Sequence, residues 1–225
     1  LALATYWIAA LAKKGSGPHK LAGKVYVLAM AGVLLPAIPL SWRALQFFSL
    51  TFGLFLFYLL LITGSAVWTA WRAVRCKRDF AAYAGPGFRR LGWANIAAGA
   101  AVLGIGAATM QPILLGFSVV GILGGRGKLL LAERGPAHPR WWMGEHIDAV
   151  LGCGVATHIA FLLIGLPRLL PAQWNGPGLQ TFAWLAPLLV SALAGRALRR
   201  KYLPLPANKT TVAKTDPRAL AGELA

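Results

Sequence analysis

The sequence predicts an all-α protein: a polytopic transmembrane bundle of about seven helices with a cytoplasmic C-terminus. Three observations carry that expectation. Only 13% of the 225 residues are charged and 57% are hydrophobic, whereas a soluble domain carries about 25% charged residues. Uncharged apolar runs recur at lengths near the roughly 20 residues a helix needs to cross hydrocarbon, without the alternation of a barrel strand. The basic residues, finally, are concentrated in alternate connections between those runs.

Taken in order, the run from Leu1 to Leu11 is too short to span and reads as the end of an incompletely represented first helix. Val25 to Trp42 and Ala44 to Trp71 are uncharged runs separated by Arg43, and they predict the second and third helices. No charge appears in the 35 residues from Leu91 to Gly125. At about 1.5 Å per residue that stretch overshoots a bilayer core of about 30 Å. Gln111-Pro112 is where it should fold into a hairpin of fourth and fifth helices. Arg126 and Lys128 then lie near the end of the fifth, where long basic side chains reach the headgroups. A sixth helix is expected from Glu145 to Pro167 and a seventh from Leu179 to Gly195. Residues 1–202 form the expected bundle, and 203–225 lack periodicity and read as a mobile cytoplasmic tail.

The net charge is +17. In a soluble protein this would suggest nucleic acid, but here 21 of the 23 Lys and Arg residues lie in alternate connections and 2 in the others. This is the positive-inside pattern. It places the basic connections in the cytoplasm of a multi-pass bacterial inner-membrane protein and calls for no nucleic-acid partner; the lipid bilayer, and other membrane subunits, are the expected neighbours. Two cysteines, Cys76 and Cys153, define neither a disulfide framework nor a zinc site.

Small residues suggest close helix packing. Ala100, Gly104 and Ala108 make one stripe, which would place the fourth helix centrally, and Gly152, Ala156 and Ala160 make another. The segment from His19 to Leu34 faintly resembles that from Phe88 to Leu103, each a basic turn followed by an outward-going helix, as duplicated hairpins or two independent membrane insertions would both give. Gly121 to Lys128 looks superficially like a phosphate loop, but its first Gly is one position early and Leu129 replaces Ser or Thr.

Few residues carry chemistry. His146 and His158 are twelve residues apart, about 18 Å along a helix and 120° around it, so they cannot share one metal or one haem. His158 should lie near the bilayer midplane, where an ionisable side chain is costly and marks either a functional site or a hydrogen bond between helices, with Tyr58 as one partner to consider. Glu145 and Asp148 fit the favourable field at a helix N-terminus, with Arg140 near enough to pair. His19, His138 and His146 sit at cytoplasmic connections. Of these, His19 and His146 suit the axial positions of a b-type haem by depth, with Arg126 and Lys128 placed to meet its propionates; interfacial His and Lys need no ligand, so both readings stand.

Two segments, Pro18 to Met30 and His138 to Phe161, resemble an uncharacterised family of bacterial integral membrane proteins, a domain of unknown function. Its His-basic-x-x-Gly-x-x-Tyr helix start is matched by His19, Lys20, Gly23 and Tyr26. A later signature is matched by His146, Ala156, Ala160 and Phe161, but Val155 stands where Ile is usual and Ile159 where Thr is usual. The resemblance implies a membrane protein and no particular activity.

Three functional readings follow. The first is a binding or accessory subunit of a membrane complex, holding haem or a quinone-like ligand for electron transfer. The second is a small-solute or proton-coupled transporter using His158. The third is a structural subunit packed against lipid and partner helices. No catalytic constellation is present. The charge pattern generates the first prediction: a Cys replacing Gln173 reacts with an impermeant thiol reagent from outside intact cells, while Cys76 is protected. The opposite labelling would reverse the orientation.

Overall fold

The structure is a computed structural model that describes residues 1–174 and 176–204. Among the described residues there are helices and no strands, and six helices are long and apolar enough to cross a membrane. The chain is a multi-pass membrane protein. The expected tail lies, from residue 205 onward, outside the described residues.

The first helix, α1 (Ala2–Leu11), is ten residues long and is the seventh apolar helix of the expected set. α2 (Gly17–Phe47) starts where Ser16 accepts a hydrogen bond from the His19 backbone N–H, with Pro18 in the first turn. The expected break at Arg43 does not occur. Arg43 lies inside α2 with its guanidinium over the Phe47 ring, and the chain turns instead at Phe48. The cause is local: Ser49 caps α3 (Leu50–Arg75) by accepting from Phe52 N at 3.1 Å. The one-turn helix α4 (Phe80–Tyr83) follows, capped by Asp79.

The expected hairpin at Gln111-Pro112 is present. α5 (Pro86–Thr109) ends on Met110 in the left-handed conformation (φ 52), and Pro112 opens α6 (Pro112–Arg134). α7 (Trp141–Ala160) begins four residues before Glu145 and continues through a π-turn (Phe161–Gly165) and a 3-10 turn (Leu166–Arg168), giving a 28-residue rod. α8 (Pro177–Tyr202) closes the bundle.

α3 and α7 pack together in the middle, with the α1–α2 pair and the α5–α6 hairpin against them and α8 on α7. The small-residue stripes correct the sequence reading. Ala100, Gly104 and Ala108 are exposed, and α5 belongs to a lateral hairpin rather than the centre. Its buried face is instead Gly92, Asn95, Gly99, Val102 and Gly106. Small residues occupy nearly every face of α5, but only this one meets glycines on α6, so only there can the two backbones touch. A Cβ added at Gly125 would lie 2.4 Å from the Gly92 carbonyl oxygen. On α7, Gly152 and Ala160 are likewise exposed, and Ala149, Cys153 and Thr157 face inward.

The contrast between neighbouring glycines is a direct test. A Cβ at Gly124 meets nothing within 4 Å. Gly125→Val should therefore destabilise the protein by about 1–3 kcal/mol, the usual cost of overpacking, while Gly124→Ala leaves it unchanged. Thermal unfolding in detergent distinguishes them, and equal melting temperatures for the two variants would refute the close α5–α6 seam.

Candidate functional site

The polar residues gather on α7 and at the end of the bundle where the basic connections meet. Trp141 shifts the start of α7 outward, so Glu145 and Asp148 lie beyond its first turn, where the helix dipole has faded. Side chains, not the dipole, account for them. Glu145 Oε2 accepts from the Tyr83 hydroxyl at 2.8 Å, and Asp148 forms a bidentate ion pair with Arg199 of α8, so neither depends on Arg140. The Asp148–Arg199 pair is half exposed and contributes little to stability. Tyr83 is fully buried, and burial, followed by the nearby Glu145 charge, pushes its phenol above the ordinary value. It remains a proton donor throughout the physiological range.

Arg126 and Lys128 do not act as a pair. Two residues apart on a helix, they point about 200° away from each other. Arg126 is exposed, whereas Lys128 turns inward, its Nζ 5.7 Å from the centre of the Phe88 ring and within electrostatic reach of Glu145 and Asp148. Lys128 thus faces the carboxylates of α7 rather than the side to which Arg126 points.

His19 and His146 bond to different neighbouring helices. His19 Nδ1 lies 2.9 Å from the Ala9 carbonyl oxygen of α1, and His146 Nδ1 lies 3.0 Å from the Ala70 carbonyl oxygen of α3. A carbonyl can only accept, so Nδ1 carries the proton in both rings and Nε2 keeps its lone pair when the ring is neutral. Neither Nε2 has a hydrogen-bond partner among the described residues. His19 and Lys14 are close enough to His146 for their charges to interact with it. Lys14 itself is pushed below its ordinary range by burial and then by the Lys201 charge. His138, by contrast, accepts from the Arg140 backbone N–H and belongs to the loop before α7.

His158 sits farther along α7, 12 residues beyond His146. The expected partner Tyr58 is engaged elsewhere: its hydroxyl donates to the Phe117 carbonyl at 2.6 Å and accepts from Gly121 N–H at 2.9 Å. Val155 and Ile159 occupy the α7 face toward Tyr58, which turns His158 toward α1. There Trp7 Nε1 donates to His158 Nε2 at 3.0 Å, and His158 Nδ1 donates to the Gly154 carbonyl at 2.7 Å. The Tyr6 and Trp7 rings meet the imidazole edge-on at 5.3 and 5.6 Å. Both ring nitrogens are thus committed in the neutral tautomer. Charge periodicity and hydropathy gave no sign of Trp7; the one hint was an indole donor in the same apolar helix that opens the chain.

Beside this cluster, the Tyr26 and Thr157 hydroxyls are 2.9 Å apart, and Thr157 also donates to the Cys153 carbonyl. An apolar groove between α2 and α3, lined by Ala31, Leu34, Leu35, Ile38, Leu60 and Gly64, offers no polar group to hold the carbonyls of a quinone. Among the described residues no three His, Cys, Asp or Glu side chains group as metal ligands. Comparison with known proteins gives no match to a family model, a curated protein or a solved structure.

The His158 geometry generates a graded prediction. His158→Gln keeps an acceptor for the Trp7 indole and should retain most of the stability, whereas His158→Leu loses it and should cost about 0.6–2 kcal/mol, typical of bonds between membrane helices. Unfolding in detergent measures both. A Leu variant as stable as the parent would show that the Trp7–His158 bond holds nothing together.

Proposed function

We propose that the protein is a binding or accessory subunit of a bacterial inner-membrane complex, with a haem-linked electron-transfer site at its cytoplasmic end and His19 and His146 as axial ligands. One observation supports this above the others. Both imidazoles donate Nδ1–H to a backbone carbonyl of a neighbouring helix and hold Nε2 unengaged. That is the arrangement by which proteins fix the tautomer and orientation of a histidine ligand. The ligands come from α2 and α7, the two helices that carry the family-like His-Lys-x-x-Gly-x-x-Tyr and His146 motifs. Tyr26 opposite Thr157 sets their register and leaves His19 about 6 Å deeper than His146.

The chain's own residues divide the remaining work. Lys14 supplies positive charge beside His146. Arg126, exposed on α6 eight residues before its end, is the cation left to meet a propionate, since Lys128 faces Glu145 and Asp148. The committed nitrogens of His158 favour a helix-to-helix bond there over a transport site.

The test is optical. Purified protein, as isolated or titrated with haemin, should develop a Soret band that sharpens and shifts on reduction. His19→Ala and His146→Ala should each abolish that low-spin spectrum while the protein stays in the membrane, and His138→Ala should leave it intact. A parent that stays colourless after haemin titration removes the proposal, as does an unchanged spectrum in both ligand variants.

A further inference from the structure

Three buried side-chain polar atoms among the described residues have no hydrogen-bond partner: Thr69 Oγ1, Arg72 Nε and Asn95 Oδ1. Buried polar groups are nearly always paired, so each such atom calls for a cause. They are not scattered. Ser65, Thr69 and Arg72 follow one another on α3 at spacings of four and three, which puts them on one face of the helix. Asn95 of α5 reaches that face, donating from Nδ2 to Ser65 Oγ at 3.0 Å. Asn95 and Thr69 are 4% and 3% exposed, so bulk solvent does not serve them.

The chemistry of the set selects its ligand. Asn95 Oδ1 can only accept, Arg72 Nε–H can only donate, and the Thr69 hydroxyl does both. A cation would suit the amide oxygen but would meet the guanidinium charge. An anion would suit Arg72 but would face the amide oxygen. Water donates and accepts, and alone complements all three. The spacing agrees: the rise along α3 is about 6 Å from Ser65 to Thr69 and about 4.5 Å from Thr69 to Arg72. One water accepting from one group and donating to the next spans about 5.5 Å.

We infer that a file of bound water enters at the basic end of the bundle and runs along α3, past Arg72 and Thr69, to the Asn95–Ser65 pair. Ser65 is ten residues from Arg75. That is about 15 Å, half of a hydrocarbon core of about 30 Å, so the file reaches the middle of the membrane from one side. At its mouth Arg72 donates to the Ala82 carbonyl and interacts electrostatically with Tyr83, whose hydroxyl donates to Glu145. The inlet therefore begins beside a buried phenol bonded to a carboxyl. Tyr58 and the Gly121 backbone, already bonded to each other, lie beyond its inner end. The file is independent of the haem reading and uses neither His19 nor His146.

Two measurements test it. In a Cys76→Ser background, Ser65→Cys places a thiol in the file, and Cys153, 1% exposed and packed against Tyr6, Tyr26 and Met30, serves as a dry reference. On transfer to D2O, infrared spectra should show the Ser65→Cys S–H band converting to S–D at least about tenfold faster than that of Cys153, because exchange requires contact with water. Thr69→Val removes the hydroxyl at nearly constant shape. It should lower the melting temperature and slow the exchange of the Ser65→Cys thiol, since the waters lose an anchor. Exchange no faster than at Cys153, or a Thr69→Val variant that melts at or above the parent temperature, overturns the water file.

Discussion

A polar side chain in hydrocarbon has no solvent to bond to, so a hydroxyl, imidazole or carboxyl on a membrane helix must bond to its own helix or to a neighbouring one. In this bundle that constraint falls mainly on α7, and the rest of the architecture is arranged around it. His158 bonds to Trp7 of α1, Thr157 to Tyr26 of α2, His146 to the Ala70 carbonyl of α3, Glu145 to Tyr83 of α4 and Asp148 to Arg199 of α8. One helix thus holds five others through polar contacts at successive heights. Hydrophobic burial cannot supply that order, because lipid tails are as apolar as the leucines they touch.

The α5–α6 hairpin takes no part in this scheme and is attached by other means. Internally it depends on backbone approach, with glycines facing glycines so closely that single methyl groups would collide. To the bundle it is tied through α3. The Tyr58 hydroxyl donates to the Phe117 carbonyl and accepts from the Gly121 amide, one turn apart on α6, and Asn95 bonds to Ser65. A hydroxyl placed between the carbonyl and amide of one helical turn locks the height of α3 against α6. Gly121 is required there because a Cβ would lie 2.6 Å from the Tyr58 oxygen.

What could be read from the sequence divides along the same physical lines. Membrane character, the alternation of basic connections and the Gln111-Pro112 hairpin depend on composition and local backbone chemistry, and these are written in consecutive residues. The turn at Phe48 was misplaced because a charge, Arg43, is a conspicuous boundary, whereas the cap at Ser49 is an uncharged residue inside an apolar run. The inward stripe of α5 was misread because Gly and Ala crowd all its faces, and only the glycines of a distant segment decide which one is buried. The same holds for the polar partners. His158 was recognisable as a residue needing a bond, but Trp7, 151 positions away, is fixed by the packing of α1 on α7.

Where bonding capacity is left over is as informative as where it is used. Along the α7 seams the polar groups pair off with each other or with backbone carbonyls, and the same pairing that satisfies them leaves little for a ligand. The exceptions are few and lie toward one end. They comprise the Nε2 atoms of His19 and His146, whose other nitrogens are held by carbonyls, and the Thr69, Arg72 and Asn95 atoms on the α3–α5 face. The two sets lie on different sides of α3, one facing α2 and α7, the other facing α5. Their chemistry differs accordingly: lone pairs held in fixed orientation suit a metal centre, and a mixed row of donors and acceptors suits water. Both lie toward the end where Lys14 and Lys201 are close enough for their charges to interact. The basic asymmetry between alternate connections therefore falls at the same end of the bundle as both sets of unused bonding capacity.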